Sequence, residues 1–189
     1  MRRTVIAVAL LNLAYFGVEF GVALAIGSVA LFADSIDFLE DAAINVLIAM
    51  ALGWSARRRA DLGSVLALVL LVPGLATIAM AWHKFAVPTA PDATLLSLTG
   101  LGALAVNFTC AVMLVRIREQ AGSLGKAAFL SARNDVFANV AIIGAGVFTL
   151  VAPSAWPDLI VGVAIGLLNA GAAREVWQAA RTERQAARP

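Results

Sequence analysis

Ser28-Val-Ala-Leu-Phe-Ala-Asp34-Ser-Ile-Asp37-Phe-Leu-Glu40-Asp41-Ala-Ala-Ile-Asn45-Val-Leu-Ile-Ala-Met-Ala-Leu52 decides the fold. The stretch is apolar enough, and reaches the ~20 residues needed, to cross a ~30 Å hydrocarbon core as a helix. It also carries four carboxylates in eight consecutive residues, Asp34 to Asp41. One ionised Asp near the centre of a membrane helix costs on the order of 2.5–3.5 kcal/mol, and a few leucines offset that only partly. Four such groups require a water-filled cavity, protons or a cation.

The rest of the chain agrees that the bilayer is the solvent. Of 189 residues, 61% are hydrophobic and 14% charged, against roughly 45–50% and about 25% in soluble domains. Mean hydropathy is +0.89. Six apolar stretches are predicted as spans: Thr4–Ile26, Ser28–Leu52, Leu62–Trp82, Thr94–Val115, Ala127–Val151 and Ala155–Trp177. Pro73 and Gly74 place a tolerated kink in the third. The expected fold is an all-α integral membrane protein, a six-helix bundle. One transmembrane domain over residues 1–180 is followed by a short basic tail, 181–189. Connections are short: Gly27, Ala152–Ser154, and a stretch of about ten residues from His83 to Ala93 in which Pro88 and Pro91 mark a turn. Short links imply antiparallel neighbours. Small residues in Gly100-Leu-Gly102-Ala103 and Gly162-x-x-x-Gly166 permit close helix approach, without specifying a dimer face.

Basic residues set the orientation. Arg2 and Arg3 precede the first span, Arg57, Arg58 and Arg59 follow the second, and Arg116, Arg118 and Lys126 separate the fourth from the fifth. Arg174, Arg181, Arg184 and Arg188 end the chain. Lys84 falls in an opposite-side loop and Arg133 lies inside span five. The positive-inside rule then places both termini in the cytoplasm, which an even number of spans requires. The net charge of +2 reflects this topology and no nucleic-acid partner. The first span begins like a signal peptide, but Asn12, Tyr15 and Glu19 interrupt it, so it reads as a retained helix. The expected location is a plasma membrane, in a bacterium the inner one, as a multi-pass protein in contact with lipid. Cys110 has no intrachain partner and reads as packing, and His83, the single histidine, reads as a loop residue without a role.

At about 100° per residue, Asp34, Asp37 and Asp41 fall within about 60° of one another, while Glu40 points about 100° from Asp41. Asp37 and Asp41 stack at i, i+4, able to grip one ion together. Ser131 and Asp135 in span five repeat that relation, and Asn139 continues their face. Asp37 and Asp41 lie roughly 13–20 Å below the outer end of span two, and Asp135 roughly 12–14 Å above the inner end of span five, so the sets meet near one depth. A four-ligand cage for a cation is one reading. A structural network, with Arg133 pairing Asp135, is the other, though it leaves surplus carboxylates unexplained. Arg133 lies about 160° from Asp135 around the helix, which turns it away from the site.

Gly27-Ser-Val-Ala-Leu-Phe-Ala-Asp34-Ser-Ile-Asp37-Phe-Leu-Glu-Asp41 resembles the second helix of the cation diffusion facilitator (cation efflux) family of metal/proton antiporters. Asn12-x-x-Tyr15-Phe16-x-Val-Glu19 is similar to its first helix and Gly102-x-x-x-x-Asn107 to its fourth. Ala128-Phe-Leu-Ser131-Ala-Arg-Asn-Asp135 is similar to its fifth and Trp156-Pro-Asp158 to the start of its sixth. The resemblance implies that Asp37, Asp41, Ser131 and Asp135 hold the transported metal, with Asp34, Asn107 and Asn139 beside them. The pattern expects His or Asp where this chain has Ser131. Imidazole suits zinc, whereas carboxylates with a hydroxyl form a harder oxygen site suited to manganese or iron(II). Zinc and cobalt stay among the expected cargo on family grounds. The family's homodimer is held partly by a cytoplasmic domain, and the chain is expected to be a short form lacking it.

The implied activity is divalent-metal efflux exchanged for protons, with metal and protons as partners and no resident cofactor. An enzyme is the second class. Asp34-x-x-Asp37 is similar to a lipid-alcohol phosphotransferase motif, but Phe38 to Val46 lacks the Gly and Ala-Arg spacings that must follow, and no protease-type Gly-x-Gly-Asp occurs. A non-transporting relative, sensing a metal or assembling with a partner through a degenerate site, is the third.

Overall fold

The computed structural model describes residues 2–51, 75–116 and 122–169. All regular structure there is helical: α1 (Arg2–Ile26), α2 (Val29–Ala51), α3 (75–86), α4 (Ala93–Val115), α5 (Gly122–Val151) and α6 (Trp156–Asn169). The predicted spans one, two and four coincide with helices to within two residues at each end. The fifth starts earlier than predicted, so that α5 runs for 30 residues. Of the predicted third span, residues 62–74 lie outside the described residues, as do Pro73, Gly74, Arg57 to Arg59 and the tail 181–189.

Among the described residues three helices qualify as membrane spans on length and hydropathy: Arg2–Ile26, Ala93–Val115 and the Ser131–Val151 part of α5. α2 is as long, but its carboxylates lower its hydropathy. Burial explains how it resides in the bundle. Asn12, Glu19, Asp34, Asn107 and Asn139 face inward and are buried, while Leu10, Leu101, Phe108, Phe137, Val140 and Phe148 point outward. Phe137 is 67% exposed and Asp34 0%. Water would enforce the reverse distribution. Hydrocarbon permits this one, because it rewards apolar side chains outside and penalises every polar group that faces it. The protein is a multi-pass membrane protein.

α1 packs along α2 and α4 along α5, and α1–α4 and α2–α5 contacts close these pairs into a ring of four. Gly27 makes the α1–α2 turn. Its φ of 64° lies in the left-handed region that favours glycine. The Ser28 amide reaches back to the Ala23 carbonyl at 3.0 Å, closing α1 in a Schellman turn. Ser28 then caps α2, its Oγ accepting from the Leu31 amide at 3.1 Å.

Asp158, in the first turn of α6, fixes the start of α2. Its Oδ1 accepts from Ser28 Oγ at 2.5 Å and from the Ala30 amide at 3.2 Å. Oδ2 accepts from the Val29 amide at 2.9 Å and from Lys84 Nζ at 2.6 Å. Lys84 also donates to the Gly27 carbonyl at 2.8 Å. A carboxylate at a helix N-terminus complements the dipole and satisfies donors that the helix itself leaves free. The sequence placed Lys84 and His83 in a loop. Both lie on α3, which continues to residue 86, and the connection shortens to 87–92. His83 is exposed, whereas Lys84 is buried and holds α3 to the α1–α2 turn. The lysine is affordable there because Asp158 neutralises it. Beside this clamp, Phe85 lies tilted against Trp82 and edge-on to Trp156, with ring centroids 6.3 and 6.0 Å apart. All three rings are exposed, as in the aromatic belts of membrane interfaces.

Gly162 lets α6 cross α2 at this point. A Cβ on it would stand 2.6 Å from the Val29 carbonyl carbon. The small residue serves contact within one chain here.

Asp158→Ala should strand Lys84 and remove three hydrogen bonds, costing about 3–5 kcal/mol, as removal of one partner of a buried ion pair does. Lys84→Met should cost less, because Asp158 keeps its three α2 donors. Thermal unfolding in detergent checks the order, and an equal or larger loss for Lys84→Met would contradict it.

Candidate functional site

The helical faces bring the in-membrane carboxylates into two groups along the bundle axis. The first sits where α2 meets α5. Ser131 Oγ donates to Asp41 Oδ1 at 2.9 Å, and Asp135 reaches hydrogen-bonding range of the same carboxyl group. Asp41 Oδ2 is buried with no partner. Asn45 Nδ2 donates to the Asp41 carbonyl at 2.8 Å, one turn on. Asp37 has Asp135, Asp34, Glu40 and Asp41 as its charged neighbours. Asp41 is sealed, whereas Asp37, Ser131 and Asp135 are half-buried, so the group opens to one side.

The second group lies toward the Gly27 end. Asn139 Nδ2 donates to Asp34 Oδ2 at 2.5 Å, and its Oδ1 accepts from Asn107 Nδ2 at 3.0 Å. Asp34, Asn107 and Asn139, predicted to lie beside the ligands, thus form one chain of hydrogen bonds across α2, α5 and α4. Glu19 joins it from α1, within hydrogen-bonding reach of Asp34. Tyr15, one turn before Glu19, donates to the Thr99 carbonyl at 2.6 Å. A Cβ at Gly102 would collide with the Tyr15 hydroxyl, so the first-helix and fourth-helix motifs meet in one contact.

No arginine or lysine neutralises these carboxylates among the described residues, where the ion pair is that of Lys84 with Asp158. Arg133 is exposed and its nearest polar contact is Asn134 Oδ1 at 3.4 Å. Pairing with Asp135 does not occur. Glu40, expected to diverge from Asp41, is nevertheless buried. Among the described residues no three Asp, Glu, His or Cys side chains come together in a grouping that would hold a metal ion. Ser131, Asp41 and Asp135 are brought together, with Asp37 one turn away.

Residues 5–181 match the family model described as the cation efflux transmembrane domain. The chain belongs to the cation efflux (cation diffusion facilitator) family. No curated protein matches it. Cation efflux proteins carry metal cations across membranes, and that is the class of activity to which this chain is assigned. The sequence puts Glu19 inside the first span, in the motif similar to the family's first helix, without giving it a place in the site. The insertion cost of an unpaired glutamate in α1 was the signal available. Asn45 has no role in the sequence reading, and Asn12 figures there only as a polar interruption of the first span and the start of the first-helix motif. Cys110, read as packing, is buried with its thiol directed at Asn12 Oδ1 at 3.5 Å.

Asn139→Leu should leave both Asp34 Oδ2 and Asn107 Nδ2 without partners. Each orphaned buried group costs about 1–3 kcal/mol, so the variant should unfold at clearly lower temperature in detergent, and an unchanged transition would remove the network from the account of stability.

Proposed function

We propose that the protein is a divalent transition-metal/proton antiporter with six spans, both termini cytoplasmic, working as a homodimer in the plasma membrane (the inner membrane of a bacterium). The cation is bound near the midplane by Asp37, Asp41 and Asp135, with the Ser131 hydroxyl in the fourth place. The observation that carries this reading is a surplus of negative groups without a counter-ion among the described residues: Asp41 and Asp135 meet across α2 and α5, and Asp41 Oδ2 has no donor there. Carboxylates crowded in a poorly solvated space cannot all carry charge together. Either a cation holds them or protons replace it, and alternation between the two occupants is antiport.

The half-buried edge formed by Asp37, Ser131 and Asp135 supports access for an ion that still carries water. In the conformation described Ser131 Oγ donates its hydrogen to Asp41, which leaves its lone pairs available to a metal. With oxygen donors throughout, the site favours manganese or iron(II) more than an imidazole-bearing one would, with zinc and cobalt as further cargo. Alternating access follows from moving α2 against α5, since each supplies half of the donors.

A second reading, a non-transporting relative that senses metal or assembles with a partner, is favoured by the absence of a ready three-residue metal grouping among the described residues.

Proteoliposomes containing the purified chain should accumulate a divalent metal when their interior is acidic, because protons leaving down their gradient drive metal inward. Asp37→Ala and Asp135→Ala should abolish accumulation. Ser131→His should shift the preference toward zinc. Folded protein that moves no metal among zinc, manganese, cobalt, iron(II) and cadmium would favour the second reading.

A further inference from the structure

Glu19 is 0% exposed, and neither of its carboxyl oxygens has a hydrogen-bond partner. It projects from α1 at Asp34 on α2, which is also 0% exposed and has its own Oδ1 without a partner. Two carboxyl groups therefore meet with no donor hydrogen between them. Two buried carboxylates at that range repel strongly, and the mutual charge is tolerable only if something positive lies between them.

The surroundings say what that is. The charged neighbours of the pair are Asp37 and, one turn farther, Asp41 on α2, with Asp135 facing Asp34 from α5. α5 presents Asn139 to Asp34 through its amide hydrogens, with Asn107 of α4 behind it. From α1 the further titratable group is Tyr15, whose hydroxyl is committed to Thr99. No cationic side chain faces the pair among the described residues. A metal ion would need several oxygen donors, and here Asn139 offers nitrogen while its oxygen is occupied. A proton needs only the two carboxyl oxygens already in place. Exposure separates the pair from three of the four proposed metal ligands, since Asp37, Ser131 and Asp135 are half-buried, whereas Glu19 and Asp34 are sealed as Asp41 is.

We propose that Glu19 and Asp34 share a proton at a site distinct from the metal ligands, and that this proton is one of those exchanged for the cation. The second clause rests on the antiport reading; the first does not. Glu19 stands seven residues before the end of α1 and Asp34 five after the start of α2, which puts the pair about 8–10 Å below the outer end of the bundle. Asp41 lies about 10 Å deeper along α2. The pair thus stands nearer the Gly27 end of the bundle than the metal ligands do. In the exchange one O–H bond forms as the pair gains a proton when the cation has left, and the same bond breaks when a cation returns and the proton departs as H⁺. No other bond changes.

The test is infrared difference spectroscopy on the metal-free, full-length protein in lipid, together with transport in proteoliposomes. Wild type should show the C=O band of a water-shielded protonated carboxyl group. One component of the band should be lost in Glu19→Gln, shifted in Glu19→Asp and kept in Asp41→Asn. Absence of such a band from the wild type overturns the proposal with no variant needed, as does a Glu19→Gln band identical to that of the wild type. In transport, Glu19→Gln should keep metal–metal exchange and lose stimulation by a pH gradient, with Glu19→Asp restoring part of it. Gradient-driven accumulation that survives Glu19→Gln overturns the coupling role. A wild type that moves no metal refutes the antiport reading and with it the coupling clause, and the infrared result then decides the shared proton on its own.

Discussion

Asp158 holds the start of α2, and much else in the bundle depends on where α2 starts. One buried carboxylate satisfies two free amides and a hydroxyl of α2, neutralises the buried lysine of α3 and sits in the first turn of α6. Because the bonds reach the backbone of α2 itself, they set its depth as well as its end. The acidic stripe from Asp34 to Asp41 then points into the ring formed with α1, α4 and α5, where the amides of Asn139 and Asn107 and the hydroxyl of Ser131 meet it. A bundle held only by apolar contacts has little to resist rotation of α2, since lipid tails solvate leucine as well as a neighbouring helix does.

The division of labour along α2 follows from that placement. Near the clamp every polar group is matched, and farther in the matching fails: Glu19, Asp34 and Asp41 each keep at least one oxygen without a donor. Buried groups left in that state are costly, and a protein retains them where the missing partner is supplied from outside. The clamp thus lends stability to the part of the molecule that lacks it.

Composition and period two or three turns at a time made much of this legible. Six apolar runs correspond to helices wherever residues are described, and the cost of four acids in eight residues singled out α2 before any geometry was known. The i, i+4 spacing of Asp37 with Asp41 and of Ser131 with Asp135 anticipated which faces meet, and the angle of Arg133 anticipated that it would turn away. What stayed hidden is long-range. Nothing local ties Lys84 to Asp158 or Glu19 to Asp34, and a lysine four residues before a proline reads as loop until its partner on another helix is known. The early start of α5 was hidden for a different reason: its first turns are not apolar enough to count as membrane, and hydropathy marks where a helix meets lipid, not where it begins.

That extra length of α5 has a mechanical meaning. Thirty residues make a rod of about 45 Å, and fitting it wholly within ~30 Å of hydrocarbon would demand a tilt beyond the 0–40° range of membrane helices. Part of the rod must therefore stand in the headgroups or the water beyond. Asp135 lies 13 residues from Gly122, about 20 Å along a stiff shaft. Force applied to the protruding end, by lipid headgroups or a docked protein, is delivered to the α2 junction as torque.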